Sequence, residues 1–150
     1  MRTFTVESRL DADRAAVWAH ATRPASLDFE FRPFLRMTFP ADLEDIASAV
    51  PLGERVCRSW MLLFGLIPVE YDDLTFVELE PGRRFLERST MLTQRSWEHE
   101  RSLVDEDGGT RITDRVAFAS RLPLLEPVFA PIFRAVFEWR HHRLRKRFRS

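Results

Sequence analysis

The chain predicts an α+β fold in which a curved antiparallel sheet grips one long C-terminal helix. The prediction rests on the order of the patterns: an alternating stretch, a short helical stretch, a run of alternating stretches, and a final segment with helical spacing. In that final segment, 124–150, Phe129, Ile132, Phe133, Val136, Phe137 and Leu144 share one face of a helix. An apolar stripe that broad must be covered, and the strands before it each offer one apolar face. A curved sheet closed by a single helix leaves room for a cavity between the two.

The elements follow in order. Residues 3–10 alternate, with Phe4, Val6, Ser8 and Leu10 on one face, the period of a half-buried strand. Asp11 or Asp13 caps a short helix through Ala15, Ala16, Val17, Trp18 and Ala19, which Arg23-Pro24 ends. Residues 24–34 are dense in Phe and Pro without a clear period, and fit a second short helix or a turn before a strand near 34–39. Residues 41–52 read as a loop or a single helical turn. Three strands follow at 55–64, 69–80 and 84–92, punctuated by Gly65, Pro68 and Pro81-Gly82.

The clearest hairpin runs over 96–121, because Asp107-Gly108-Gly109 is a tight-turn signal between two alternating stretches. Setting Asp105 opposite Thr110 pairs Leu103 with Ile112, Arg101 with Asp114, His99 with Val116 and Trp97 with Phe118 on one face. The other face carries Glu100 opposite Arg115, an ordinary solvent-side ion pair. Arg101 and Asp114 instead share their face with apolar neighbours. Two readings stay open for them: a self-satisfied buried pair, or a polar anchor at a cavity wall.

With 150 residues, 45% of them hydrophobic, the chain has the material for a single domain over 1–150. Its 23 basic and 23 acidic residues balance, so no global field draws it to nucleic acid or anionic lipid. A single cysteine, Cys57, excludes an internal disulfide and a multi-cysteine metal site, and its apolar neighbours suggest burial. The N-terminus reads as an amphipathic strand, and no stretch reaches membrane-span length, which leads to a cytoplasmic expectation.

These patterns carry a resemblance. Phe85 and Glu87, Trp97-x-His99, and Thr110-Arg111-Ile112-Thr113-Asp114-Arg115-Val116 followed by Phe118 resemble the SRPBCC superfamily, the START or Bet v 1-like proteins. The likeness is greatest to its bacterial polyketide cyclase/dehydrase-like members of unassigned activity. Val17-Trp18 after an acidic cap and the Phe-rich C-terminal helix extend it over nearly the whole chain. The resemblance implies a helix-grip sheet of about seven strands. It also implies a gate near the pocket mouth among Phe29, Phe31, Phe34 and Phe39. The chain departs from the pattern at Leu92-Thr93, where a Gly-Pro turn is common, and at Arg101, where a second histidine is common. The superfamily includes carriers, binders and enzymes, so the fold alone does not assign a function.

The expected function is binding of a small hydrophobic or amphipathic molecule between sheet and C-terminal helix. His99, Arg101 and Asp114 are the expected polar end of that pocket, with Trp97, Phe118, Phe133 and Phe137 as its apolar lining. A cofactor-free cyclase or dehydratase-like enzyme is the alternative. In it Asp114 would orient His99 as the proton shuttle and Arg101 would stabilise an enolate. No serine elbow, phosphate loop or nucleotide fingerprint offers other chemistry, and no cofactor is expected. The four histidines lack ligand spacing, so no metal is expected. The run Arg140 to Arg149 could contact a nucleic acid, a ribosome or an anionic surface. Cations at a helix C-terminus also oppose its dipole, and their stems cover apolar surface, which is the simpler account.

Overall fold

The structure, a computed structural model, describes residues 1–149. In chain order it comprises β1 (Arg2–Leu10), α1 (Arg14–Ala21), α2 (Pro24–Phe31), β2 (Leu35–Met37), β3 (Arg55–Leu63), β4 (Ile67–Glu80), β5 (Arg84–Ser89), β6 (Gln94–Glu106) and β7 (Gly109–Ser120). A 3₁₀ turn at Pro123–Leu125 then leads into α3 (Glu126–Arg147). The seven strands form one antiparallel sheet in the order β1-β7-β6-β5-β4-β3-β2, curled into a half-barrel around α3. This is the α+β helix-grip architecture that the element order predicts.

The β6–β7 hairpin has the register read from sequence. Trp97 pairs with Phe118, His99 with Val116, Arg101 with Asp114, Leu103 with Ile112, and Glu100 with Arg115. Its turn places Asp107 and Gly108 both at positive φ, 47° and 78°, the requirement of a two-residue turn that matches strand twist. At the next residue a side chain is excluded by space, because a Cβ on Gly109 would meet the Leu10 carbonyl oxygen at 2.3 Å. That close approach lets β7 start flush against the end of β1.

The segment at 24–34 resolves into a helix, with Pro24 in its first turn, where a missing N–H costs nothing. Asp13 caps α1 by accepting from the Ala16 N–H at 2.8 Å. Cys57 is half-buried, which corrects the expectation of full burial: β3 lies near the sheet edge, beside the three-residue strand β2.

Packing divides the interior. At one end, Leu10, Val17, Leu103, Ile112, Leu144 and Phe148 form a filled core between β1, β6, β7, α1 and the end of α3. Ile112 is fully enclosed there, so Ile112→Val is expected to lower unfolding free energy by about 0.5–1.5 kcal/mol in a urea titration. The helix above the sheet is uneven. Its four buried residues, Phe137, Arg140, His141 and Leu144, all lie in the second half, whereas the first half around Pro131 has none. Ile132, expected on the buried stripe, is half exposed, because it lies at the mouth of a cavity under the first half of α3.

Candidate functional site

Where α3 descends onto the sheet, charged groups are enclosed together. Asp114 on β7 accepts from Arg101 on β6 through both carboxylate oxygens, with Nε and Nη2 each at 2.8 Å. It also accepts from His99 Nε2 at 2.6 Å and from His141 Nε2 at 2.7 Å. The other side of the Arg101 guanidinium donates to Glu30 on α2, at 2.9 and 3.2 Å, and Arg140 Nε on α3 donates to the same carboxylate at 3.1 Å. Two carboxylates thus face two guanidiniums, and the buried group is neutral without help from the histidines. Burial alone would raise both carboxyls. The Arg101 and Arg140 guanidiniums override this for Glu30, and Arg101, His99 and His141 do so for Asp114, holding each well below the usual carboxylate range.

The far nitrogen of His141 completes the layer. Arg145 donates to Ser8 Oγ at 2.7 Å, which leaves the Ser8 hydroxyl proton for His141 Nδ1 at 2.8 Å. His141 then carries its proton on Nε2, aimed at Asp114. Arg140, His141 and Arg145, part of the basic run 140–149, are therefore tied to the protein itself.

Beside this layer, under the first half of α3, lies a cavity of about 370 Å³. Its walls come from α2, β2 to β6 and α3 and are mostly apolar, including Leu27, Met61, Leu74, Phe76, Trp97 and Phe133. The partly exposed lining residues Phe34, Val69 and Ile132 mark its mouth, between the β3–β4 tip and α3. A volume near the lower end of ordinary ligand pockets, lined this way, suits a small apolar molecule.

One wall of the cavity is polar. Asp72 on β4 follows the same inward phase as Leu74 and Phe76, and Glu87 on β5 that of Phe85 and Ser89. Both carboxyls line the cavity and are almost fully buried. Glu87 Oε2 accepts from Ser89 Oγ at 2.7 Å, and Glu87 Oε1 lies 3.8 Å from His99 Nδ1. Asp72 Oδ1 is buried and has no hydrogen-bond partner among the described residues. Burial and the Glu87 charge push the Asp72 carboxyl well above its ordinary range. Burial would raise Glu87 too, but the neighbouring His99 imidazole and Asp72 carboxyl, with the Ser89 hydroxyl, hold it below its ordinary value. Of the two carboxyls, Asp72 is therefore the one that holds a proton more readily.

Of the residues expected from sequence, Trp97, His99, Phe133 and Phe137 line the cavity. Arg101, Asp114 and Phe118 do not. The first two stand behind His99, where Glu30 and Arg140 close over them, and Phe118 packs beneath Trp97 and Phe133. Arg140 reaches the wall in their place, its guanidinium 4.6 Å from the Phe31 ring and 4.8 Å from that of Phe137. Among the four phenylalanines of the expected gate, Phe31 and Phe34 line the cavity; Phe29 packs on His20 and Arg143, and Phe39 on the apolar cluster of Leu27 and Leu74. Asp72 and the role of Glu87 escaped the sequence reading, although their phase with apolar neighbours was a usable signal. Among the described residues, no group of three or more His, Cys, Asp or Glu is placed to hold a metal ion. No helix among them is long and apolar enough to cross a membrane.

A half-barrel sheet gripping a helix over an apolar cavity defines a helix-grip domain. Residues 8–148 match the family described as "Domain of unknown function (DUF8410)", and the chain belongs to that family. No curated protein matches it. Among solved structures, it is similar to protein Ms6760 from Mycobacterium smegmatis, with 15% identity, a TM-score of 0.69, and 99% of this chain and 91% of that one covered. It is similar to CalU16 from Micromonospora echinospora at 20% identity and a TM-score of 0.57, covering 95% and 76%. DynU16, a protein of the dynemicin biosynthetic locus, aligns at 13% identity and a TM-score of 0.59, over 97% of this chain and 48% of its own. At these identities the likenesses are likenesses of fold.

Proposed function

We propose that the protein is a cytoplasmic SRPBCC-type domain that binds a small hydrophobic or amphipathic molecule in the cavity between its sheet and α3. The observation that carries this reading is an apolar space of about 370 Å³ with one polar wall, beside an end of the domain that is packed as a core. His99 and Arg140 are the polar contacts for such a ligand, with Trp97, Phe133 and Phe137 as apolar ones; Arg101 and Asp114 hold His99 from behind.

A neutral fluorescent probe, N-phenyl-1-naphthylamine, tests this. The wild type is expected to bind it one-to-one. Val136→Trp, which projects an indole from the half-buried α3 wall into the cavity, is expected to weaken binding about tenfold or more with the circular dichroism spectrum unchanged. Absence of wild-type binding, or equal binding by the variant, would remove the reading.

An enzyme of cyclase or dehydratase type is the second reading. It is favoured by the raised pKa of the Asp72 carboxyl on the cavity wall, caused by burial and the Glu87 charge, and by the fold shared with a protein of a biosynthetic locus. A nucleic-acid or ribosome contact through the basic helix end has less support. Arg140, Arg143 and Arg145 are all engaged with Glu30, the Phe29 carbonyl and Ser8.

A further inference from the structure

Resting on the cavity-ligand reading, we infer that Asp72 and Glu87 form an acid–base centre that moves protons on an apolar substrate bearing a carbonyl group. The inference stands first on placement. Two carboxyls from neighbouring strands open onto one largely apolar cavity, where burial disfavours ionising both. A second observation points outward to a ligand: Asp72 Oδ1 is buried in that wall with no hydrogen-bond partner among the described residues. Buried oxygens are otherwise paired throughout this site, so the unfilled one marks where a ligand atom belongs.

The groups facing Asp72 fix the roles. From β5 come Glu87 and Ser89, from β3 Cys57, from β4 Glu70, and from β6 and α3 the more distant His99 and Arg140. Glu70 is occupied, accepting from the Tyr71 and Thr93 N–H groups and from the Thr93 hydroxyl. Arg140, a guanidinium paired through Nε with Glu30, can contact a ligand but is too weak an acid to give up a proton. This leaves Asp72 as the acid and Glu87 as the base. His99, held through Nε2 by Asp114, presents Nδ1 to Glu87 and positions it.

The reaction class is enolisation, which needs no oxidant or cofactor. Asp72 donates its proton to the substrate carbonyl oxygen while Glu87 removes a proton from the α-carbon. The C–H electron pair becomes the C=C bond, and the carbonyl π pair forms the new O–H bond. The enol then either returns to the ketone or serves as a carbon nucleophile. On return, Glu87 gives a proton back to carbon and Asp72 recovers its own from oxygen. The apolar walls would also favour a neutral ketone over an anionic acid, which would meet Glu87.

2-Tetralone, an apolar bicyclic ketone, is the probe. In deuterated buffer the wild type is expected to exchange its α-hydrogens about a hundredfold faster than buffer alone, followed by NMR. Asp72→Asn and Glu87→Gln are expected to reduce exchange to the buffer rate while 2-tetralone still displaces N-phenyl-1-naphthylamine within about threefold of its wild-type affinity, because both amides keep polar contacts. Val136→Trp, which leaves both carboxyls in place, is expected to abolish exchange by filling the space. Exchange at the buffer rate in wild type, or exchange that survives either carboxyl variant, overturns the acid–base role. So does failure of 2-tetralone to displace the dye. In each of these cases dye binding itself remains, which separates loss of this inference from loss of the cavity-ligand reading.

Discussion

Arg101→Ala is expected to lower the stability of the fold by about 3–5 kcal/mol, read from urea unfolding at neutral pH. The size of the effect comes from what is left behind rather than from the contact removed. Arg101 is wholly buried and makes four hydrogen bonds, two to Asp114 and two to Glu30. Without it Asp114 keeps only two imidazoles, and Glu30 keeps Arg140 and the His20 ring 3.5 Å away. Two carboxylates then share the one guanidinium of Arg140 in a buried layer, and Asp114, left without a cation partner, either takes up a proton or draws water into the core. Arg101→Lys would restore charge but not the bidentate fork, and is expected to recover only part of the loss. An Arg101→Ala protein as stable as wild type would show that the layer is wet and its charges solvated.

The stability–pH profile is expected to have two limbs of opposite origin. Glu30 and Asp114 have folded-state pKa values below their unfolded ones, so their contribution is present above the ordinary carboxylate range, about pH 4, and is lost as pH falls through the folded values. The wild type should therefore unfold readily in acid. Asp72 has the reverse sign. Its folded-state pKa is raised, chiefly by burial and by Glu87, with Ser89 opposing and Cys57 adding. The contribution of Asp72 is thus greatest below about pH 4 and is lost as pH rises toward its folded value. Asp72→Asn removes that penalty, so the variant should gain on wild type as pH rises above about 4 in thermal unfolding, until Asp72 has ionised in the folded wild type. A constant difference between the two proteins across that range would mean that Asp72 titrates normally. Such a gain from deleting a carboxyl is the common signature of a group retained for function rather than for stability.

The parts of this picture that were legible in sequence are those that periodicity controls. Alternation around Asp107-Gly108 gave the β6–β7 register pair by pair, because a slip by one residue would turn Leu103, Ile112 and Val116 out of the core. Helical spacing gave α3. Periodicity assigns a face but not a depth, and depth decides the site. Arg101 and Asp114 share the face of His99, yet the helix closes over them and leaves His99 at the wall. Glu30 was hidden for another reason: α2 is crowded with Phe and Pro on several sides and has no polar phase against which a buried carboxylate would stand out. Arg140 was masked by composition, one cation in a run of cations, and only its position one turn before Leu144 distinguishes it.

The unequal halves of α3 mean that the helix is fastened more tightly at one end than at the other. Its second half is bolted down by Arg140, His141 and Leu144, whereas residues 126–136 bury no side chain completely and span a hollow. A bound guest would supply the packing that this half lacks, and the gain would be local. Occupancy should therefore be visible as slowed amide exchange along the first three turns of α3 while the bolted end, already as protected as the core, stays unchanged. The molecule would register whether it is loaded in the stiffness of a single half-helix, next to its own doorway.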